Sequence, residues 1–342
     1  MSRIKFIHTY DNIISLENLL MAWKEFIVGK KSRKDVQEFQ RNLMTNIISL
    51  HQDLKNRVYV HGGYYAFKIS DPKPRDIRKA TVRDRLLHHA IYRVLYPHFD
   101  SKFIHDSYSC RLEKGTHRAI DRFRDFHRKV SKNNTKTCWI LKCDIRKFFA
   151  NIDHKILKEI LSRTVLDTDI LWLLGQVIDS FRTDKSCLVE NPISTMVETS
   201  KGLPLGNLTS QLLVNIYMNE FDQFVKRKLK VKHYIRYADD FVVLSQDKEY
   251  LQNTLEQMKE FLENKLKLNM HPDKVYIKTI ASGVDFLGWV SFPKHRVLRT
   301  STKRRMLKKL KNNPKEETRQ SYLGMLGHGD AYELKKALTL KK

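Results

Sequence analysis

Two adjacent carboxylates stand between apolar-rich runs in Tyr237-Ala238-Asp239-Asp240, with His233 to Arg236 before them and Phe241 to Leu244 after. β-Branched and aromatic runs favour a pleated, half-buried surface and Asp favours turns, so this stretch predicts strand, tight corner, strand. Neighbouring carboxylates repel in low dielectric unless a cation lies beside them, which makes a divalent metal the first chemistry to consider. Side chains alternate along a strand, so Asp239 and Asp240 need not serve equally; one faces the site and the other supports it. Taken alone, the four residues fit an exposed Asp-Asp turn as well as a metal corner. A third carboxylate, Asp144, ends the apolar run Cys138 to Cys143. An unpaired buried charge is costly, so Asp144 needs a metal or a cation. If the two strands are neighbours in a sheet, the three aspartates can hold two Mg²⁺, or Mn²⁺ in its place, through hard oxygen donors shared with phosphates. Two such ions suit in-line phosphoryl transfer, one activating a 3′-hydroxyl and the other neutralising a departing pyrophosphate.

The composition narrows the substrate. Against 38 acidic residues stand 64 Lys and Arg in 342, a formal charge of +26, far more than solubility requires. A polyanionic partner follows, and nucleic acid is favoured over a membrane surface because the cations are spread along the whole chain. Cys110, Cys138, Cys143 and Cys187 show no C-x-x-C pairing, so they read as reduced packing residues. The start, MSRIKFIHTYDN, carries no apolar core of a signal peptide, and no apolar run approaches a bilayer span. A cytoplasmic location without a membrane partner is expected. The length predicts two or three subdomains.

Several elements must position the carboxylates. Helical spacing covers Asn12 to Leu54, with Leu16, Leu19, Leu20, Trp23 and then Phe39, Leu43, Ile47, Leu50 recurring at three and four. Val58-Tyr59-Val60, Gly62-Gly63 and Tyr65 to Ile69 read as a hairpin. The cationic stretch Lys73 to Lys79 precedes a helix from Arg83 to Tyr96 that Pro97 is expected to stop, and cations before a helix N-terminus suit a triphosphate, or simply make a basic surface. His88 and His89 on that helix read as structural. Phe103 to Arg118 reads as a loop leading into a helix that ends at Val130. Asp153 is expected to cap the next helix, and Asp167 to Phe181 forms another. Arg182 to Ser200 is a polar connection to the turn Lys201 to Gly206, whose glycines permit close backbone approach to a ligand. Thr209 and Ser210 are expected to cap the following helix, with Leu213, Ile216, Tyr217, Phe221 and Phe224 on one face. Leu251, Leu255, Met258, Leu262 and Leu266 mark an amphipathic helix; His271 to Lys274 turns into a strand, Val275 to Ile280. The C-terminal part is a basic helix around Met306, Leu307 and Leu310, read as a contact for a nucleic-acid backbone or as a solvated face.

In this order the motifs resemble a reverse transcriptase, from about Lys68 to the C-terminus. Arg75 to Arg85 resembles the fingers segment for the incoming nucleotide, and Ser107-Tyr108-Ser109-Cys110-Arg111 the family's Ser-Tyr-Gly-Phe-Arg stretch. Asp144-Ile145-x-x-Phe148-Phe149 resembles the first catalytic motif, with Phe149 at the aromatic gate that excludes a 2′-hydroxyl. Tyr237 to Asp240 resembles the second catalytic motif, Val284 to Trp289 the primer grip, and Lys303 onward the thumb. Most relatives have Gln-Gly and a later Ser-Pro where this chain has Leu205-Gly206-Asn207-Leu208-Thr209-Ser210-Gln211, a pattern similar to the enzymes of diversity-generating retroelements.

That resemblance implies an α+β right-hand polymerase: N-terminal extension and fingers over 1–135, a ferredoxin-like antiparallel palm over 136–295 with a fingers insertion near 163–200, and a short basic thumb over 296–342. It implies catalysis by Asp144, Asp239 and Asp240, with Ile145 joining them around the metals. Nucleotide binding falls to Lys73, Arg75, Phe149, Leu205, Gly206, Gln211 and Lys274, and nucleic-acid binding to Arg111, Lys303, Arg304 and Lys308. The implied enzyme is bacterial or phage-encoded; it copies a template-repeat RNA from dNTPs into a cDNA/RNA duplex, misincorporates opposite adenine, and works with a small basic accessory protein that is oligomeric. The alternatives are a reverse transcriptase of a group II intron, retron or phage-defence system, and a non-catalytic RNA-binding scaffold.

Overall fold

Burial of the apolar stripes and placement of the carboxylates can be followed in a computed structural model, which describes residues 6–70, 74–181, 200–312 and 315–339. Lys73 and most of the Arg182 to Ser200 connection lie outside the described residues. The chain divides into two units, one of residues 1–105, 146–224 and 261–269, the other of 106–145, 225–260 and 270–342.

The first unit is mainly helical. Helices α1 (Tyr10–Ile14), α2 (Leu16–Phe26), α3 (Lys34–Arg41) and α4 (Leu43–Lys55) form as their spacing predicts. Ser15 caps α2 by accepting from the Asn18 amide, and Leu19, Trp23 and Phe26 are buried with Ile47, Leu50 and Leu54 of α4. The expected hairpin is paired differently. Strand β1 (Tyr64–Ile69) pairs antiparallel with β2 (Arg75–Ala80), and Val58 to Val60 stays outside the sheet. The reason is Tyr59: its amide and that of Val58 bond the Asp53 carbonyl, its ring is buried, and its hydroxyl donates to Asp84 at 2.8 Å. The cations of Arg75 to Lys79 therefore lie on a strand rather than in front of a helix. Thr81 then caps α5 (Val82–Asp100) by accepting from the Asp84 amide. This helix runs through Pro97 instead of stopping before it. Proline forfeits one amide bond there, but Val94, Leu95, Tyr96 and Phe99 are buried on both sides of it.

A single-turn 3₁₀ helix at Phe148–Asn151 precedes α7 (His154–Ser162), which Asp153 caps through the Ile156 amide, and α8 (Thr168–Asp179), capped by Asp167. Helix α9 (Leu208–Gln223) begins after Asn207, so Thr209 and Ser210 are not its caps but buried residues of its first turn. Leu212, Leu213, Val214, Ile216, Tyr217, Met218 and Phe221 are all buried. The helix is thus enclosed on nearly every side, not along a single stripe, and Phe224 falls beyond its end.

The second unit carries the sheet. Helix α6 (Thr116–Val130) leads to β3 (Trp139–Asp144), and β4 (Tyr234–Tyr237), β5 (Asp240–Ser245) and β6 (Tyr276–Thr279) complete an antiparallel sheet in the order β4-β5-β3-β6. Ile140, Val242 and Leu244 meet Phe123, Phe126 and Val130 of α6 in one core, the outcome of alternation on the strands and a 3.6-residue stripe on the helix. Helix α10 (Lys248–Leu266) follows β5. A three-stranded meander of β7 (Val284–Phe286), β8 (Trp289–Ser291) and β9 (Arg296–Leu298) precedes α11 (Thr300–Asn312), α12 (Glu316–Leu326) and α13 (Tyr332–Thr339). Trp289, Leu298, Met306, Leu326 and Leu338 form their shared core.

Candidate active site

The carboxylate corner is set by strand register. Tyr237 pairs with Asp240 across the β4–β5 turn, and Asp144 pairs with Asp240 across β3–β5. Directly opposed residues share a face of the sheet, so Asp144 and Asp240 lie side by side at its end, with Asp239 in the turn between. The turn needs a left-handed residue, and Ala238 takes φ +55°. Two bonds hold it there. The Ile145 amide donates to the Asp239 carbonyl at 3.1 Å, and Arg236 donates through Nη1 to the Ala238 carbonyl at 3.0 Å and through Nη2 to Ser107 Oγ at 3.1 Å. Arg236 is fully buried. Its backbone also bonds the carbonyl of Asp106 and the amide of Tyr108, at 3.0 and 2.9 Å. Sequence reasoning passed over Arg236, although a charge flanked by Ile235 and Tyr237 in an apolar strand carries the same signal that singled out Asp144.

Two lysines neutralise part of the negative charge. Lys274 Nζ donates to Asp144 Oδ1 at 2.9 Å, and Lys142 Nζ stands 3.1 Å from Asp240 Oδ1. The second contact is an ion pair out of line for a hydrogen bond, since Asp240 Oδ1 is buried with no hydrogen-bond partner. No cation of the described residues lies at ion-pair distance from Asp239. Burial, then the Asp144 charge, pushes the Asp239 carboxyl up to about 6. Burial also raises Asp240, with Lys142 pulling the other way. The corner is short of positive charge. Among the described residues no group of three His, Cys, Asp or Glu side chains is already gathered as a metal shell; the lysines occupy that role instead. The donors nevertheless fit Mg²⁺: they are hard carboxylate oxygens, and burial raises two of the carboxyls, Asp239 and Asp240. Ile145, its side chain buried, has only its backbone carbonyl to offer a metal.

The other sequence-derived residues fall into separate places. In the first unit, the Phe149 carbonyl accepts from the Leu203 amide at 2.8 Å, and its ring meets Phe148 edge-on at 5.5 Å. The Leu205 carbonyl accepts from the Arg78 amide at 3.0 Å, and the Asn207 side chain donates to the Arg78 carbonyl at 2.9 Å. The loop is thereby seated along β2. Gly206 takes φ +105°, and a Cβ there would come within 2.9 Å of Ile77 Cγ2. Arg75 is exposed at the start of β2, and Gln211 is half-buried in the first turn of α9. Lys73 lies outside the described residues. In the second unit, Lys274 is engaged with Asp144 as described. Arg111 donates to the Ser107 carbonyl at 3.0 Å. Lys303, Arg304 and Lys308 are exposed on α11 while Met306 is buried beneath them. Lys142, Asn207 and Ile77 also had no reading from sequence.

Residues 69–291 match the family model of reverse transcriptase (RNA-dependent DNA polymerase). The chain belongs to that family. It is 26% identical over 282 residues to protein YkfC of Escherichia coli, covering 73% of this chain and 70% of that protein. It is 26% identical over 287 residues to the group II intron-encoded protein LtrA of Lactococcus lactis, covering 66% of this chain and 45% of LtrA. Among solved structures, an apo telomerase from Candida tropicalis truncated from its C-terminal domain is similar over 75% of this chain and 60% of that one, with 13% identity and a TM-score of 0.47. The fold is α+β, with an antiparallel sheet in the second unit. No helix among the described residues is long and apolar enough to cross a membrane.

Proposed function

We propose that Asp144, Asp239 and Asp240 are the catalytic carboxylates of this reverse transcriptase and that they hold two Mg²⁺, with the Ile145 carbonyl beside them. The observation that carries this reading is the register of Asp144 against Asp240, with the raised Asp239 in the turn between. When bound, the ions supply an activated 3′-hydroxyl and neutralise the leaving pyrophosphate. The chain's own residues do the rest. Lys274, which donates to Asp144, would serve the triphosphate, as would Arg75 and Lys73. Phe149 excludes a 2′-hydroxyl by size, Gly206 lets the backbone approach the nucleotide, and Gln211 lines the same pocket. Arg111, Lys303, Arg304 and Lys308 contact the nucleic-acid backbone. The domain reading is an N-terminal extension and fingers over 1–135, a palm over 136–295 with a fingers insertion near 163–200, and a short basic thumb over 296–342.

The finer proposal is an enzyme of a diversity-generating retroelement, which copies a template-repeat RNA with adenine-directed errors in company with a basic accessory protein. It is supported by the Leu205 to Gln211 pattern: leucine has no group to hydrogen-bond a nucleotide where relatives have glutamine, so geometric selection at the pocket is looser. Primer extension on an RNA template with dNTPs and Mg²⁺, with accessory protein and repeat RNA supplied, tests both levels. Wild type extends and Asp239→Asn does not; equal extension by the two would remove the metal assignment. Sequenced products of Leu205→Gln are expected to show fewer errors at template adenines, and an unchanged error spectrum rejects the pocket explanation. The likeness to LtrA supports a second reading, an intron-type reverse transcriptase. A neighbouring pair of imperfect genomic repeats differing at adenines separates the two.

A further inference from the structure

The second unit holds a cavity of about 600 Å³, within the size range of small-ligand pockets, and nothing above gives it a role. It opens between one face of α6, the turn from β8 to β9 and the link from α12 to α13 at Gly327–Asp330. Helix α6 presents Asp121, Arg124, His127 and Arg128 to it, at spacings that fall on one helix face. Arg124, Arg128 and Lys294 are exposed at its edge. Two interior groups are incomplete. His127 is 3% exposed and its Nε2 has no hydrogen-bond partner among the described residues. Arg296 donates through Nε to the His328 carbonyl and through Nη2 to Asp121 at 3.0 Å, while its Nη1 is buried without a partner.

Buried polar groups are normally satisfied, so two open ones lining one cavity point to a missing ligand. The charge says which sign. Among the described residues lining it, Arg124, Arg128, Lys294 and Arg296 meet the carboxylates of Asp121 and Asp330 alone, and Asp121 is shared by Arg296 and Arg124. An anion fits. The turn adds an aromatic surface, since the Phe292 and His295 rings stack with centroids 5.0 Å apart. Cations beside a stacking platform are what a nucleotide requires, its phosphate on the first and its base on the second.

We propose that this cavity is a second nucleotide site, which takes one nucleoside phosphate, either free or as a single residue of an RNA strand. The phosphate meets Arg296 and His127 with the edge cations, and the base lies against Phe292 and His295. The site does not depend on the assignment of the catalytic carboxylates.

Equilibrium dialysis of the full chain tests it, without divalent metal and at about 0.3 M salt, where screening suppresses diffuse polyanion binding. The probes are AMP, adenosine, orthophosphate and a short single-stranded RNA. AMP is expected to bind at one site, with adenosine and orthophosphate each about tenfold weaker or more, as follows from losing a charge-assisted contact or the stacking contact. Arg128→Glu with Lys294→Glu changes exposed residues only. It should weaken AMP about tenfold while the melting temperature and primer extension hold. His127→Leu should do the same from inside the cavity. RNA bound more tightly than AMP identifies a strand residue as the natural occupant, and AMP bound as tightly or more so identifies a free nucleotide. No binding of AMP or RNA, orthophosphate equal to AMP, or AMP affinity unchanged in both variants overturns the proposal.

Discussion

Two acidic centres in this chain are built in opposite ways. Asp84, in the first unit, is 1% exposed and collects donors from every side: Tyr59 hydroxyl at 2.8 Å, the Gly62 amide at 3.1 Å and Thr81 hydroxyl at 2.5 Å. His61 and His88 stack beside it, with ring nitrogens 3.2 Å apart, and burial followed by His61 drives His88 down to about 3, so its ring stays neutral. The corner at Asp239 and Asp240 is half-buried, the Asp240 side chain 20% exposed, and has no such collection among the described residues. Among the described residues no cation lies at ion-pair distance from Asp239, and burial raises both carboxyls. A carboxylate that the protein satisfies itself is structural. One left short of positive charge costs stability and is kept for what it binds.

The sharpest way to break this contrast is the largest expected effect. Asp239→Asn should lower primer-extension rate by about three orders of magnitude, as loss of a few kcal/mol of metal-borne stabilisation implies, with the melting temperature no lower than wild type. Asp84→Ala should do the reverse. It leaves three donors unpaired and should cost about 3 kcal/mol of stability in urea unfolding, while the kcat of whatever remains folded is preserved. A kcat loss without a stability loss at Asp84 would erase the distinction.

A smaller effect reads the strain at the corner directly. The folded pKa of Asp239, about 6, exceeds the unfolded value of about 3.9. The ionised carboxylate therefore penalises the metal-free fold fully above pH 6, and the penalty fades as pH falls toward 4. Asp239→Asn should stabilise the metal-free protein by about 2 kcal/mol at pH 8, allowing for partial solvent screening, and by almost nothing at pH 4. A gain independent of pH would show that charge is not the cause. The smallest effect concerns the loop on β2. Gly206→Ala should cost about 1–2 kcal/mol, because φ is positive and the new methyl meets Ile77. Ile77→Ala in the same chain should return only the contact part, by a double-mutant cycle.

Much of this was legible in the order of residue types. The apolar runs ending on carboxylates gave strands β3, β4 and β5 and the corner, because a charge that closes a buried strand has few explanations. The Asp153 cap and the basic face of α11 were legible for the same local reasons. What was hidden depends on partners remote in sequence. Val58 to Val60 alternates like a strand, yet Tyr59 is buried to reach Asp84. Asn207, not Thr209, starts α9, and its side chain is drawn to the Arg78 carbonyl. Pro97 sits inside a helix because neighbouring apolar residues outweigh one lost bond. Lys142 looks like an ordinary polar position until the sheet is assembled around it, whereas Arg236 carried a readable signal as a charge inside an apolar strand.

The lysines on Asp144 and Asp240 bear finally on how the protein comes to exist. Without a counter-charge, three carboxylates at one strand end would resist closure of the sheet. Lys142 sits on β3 itself, and Lys274 lies in the turn that leads into β6. Both counter-charges are encoded in the segments that must come together. The metal-free sheet should therefore close on its own, and a chelator should abolish primer extension without lowering the melting temperature.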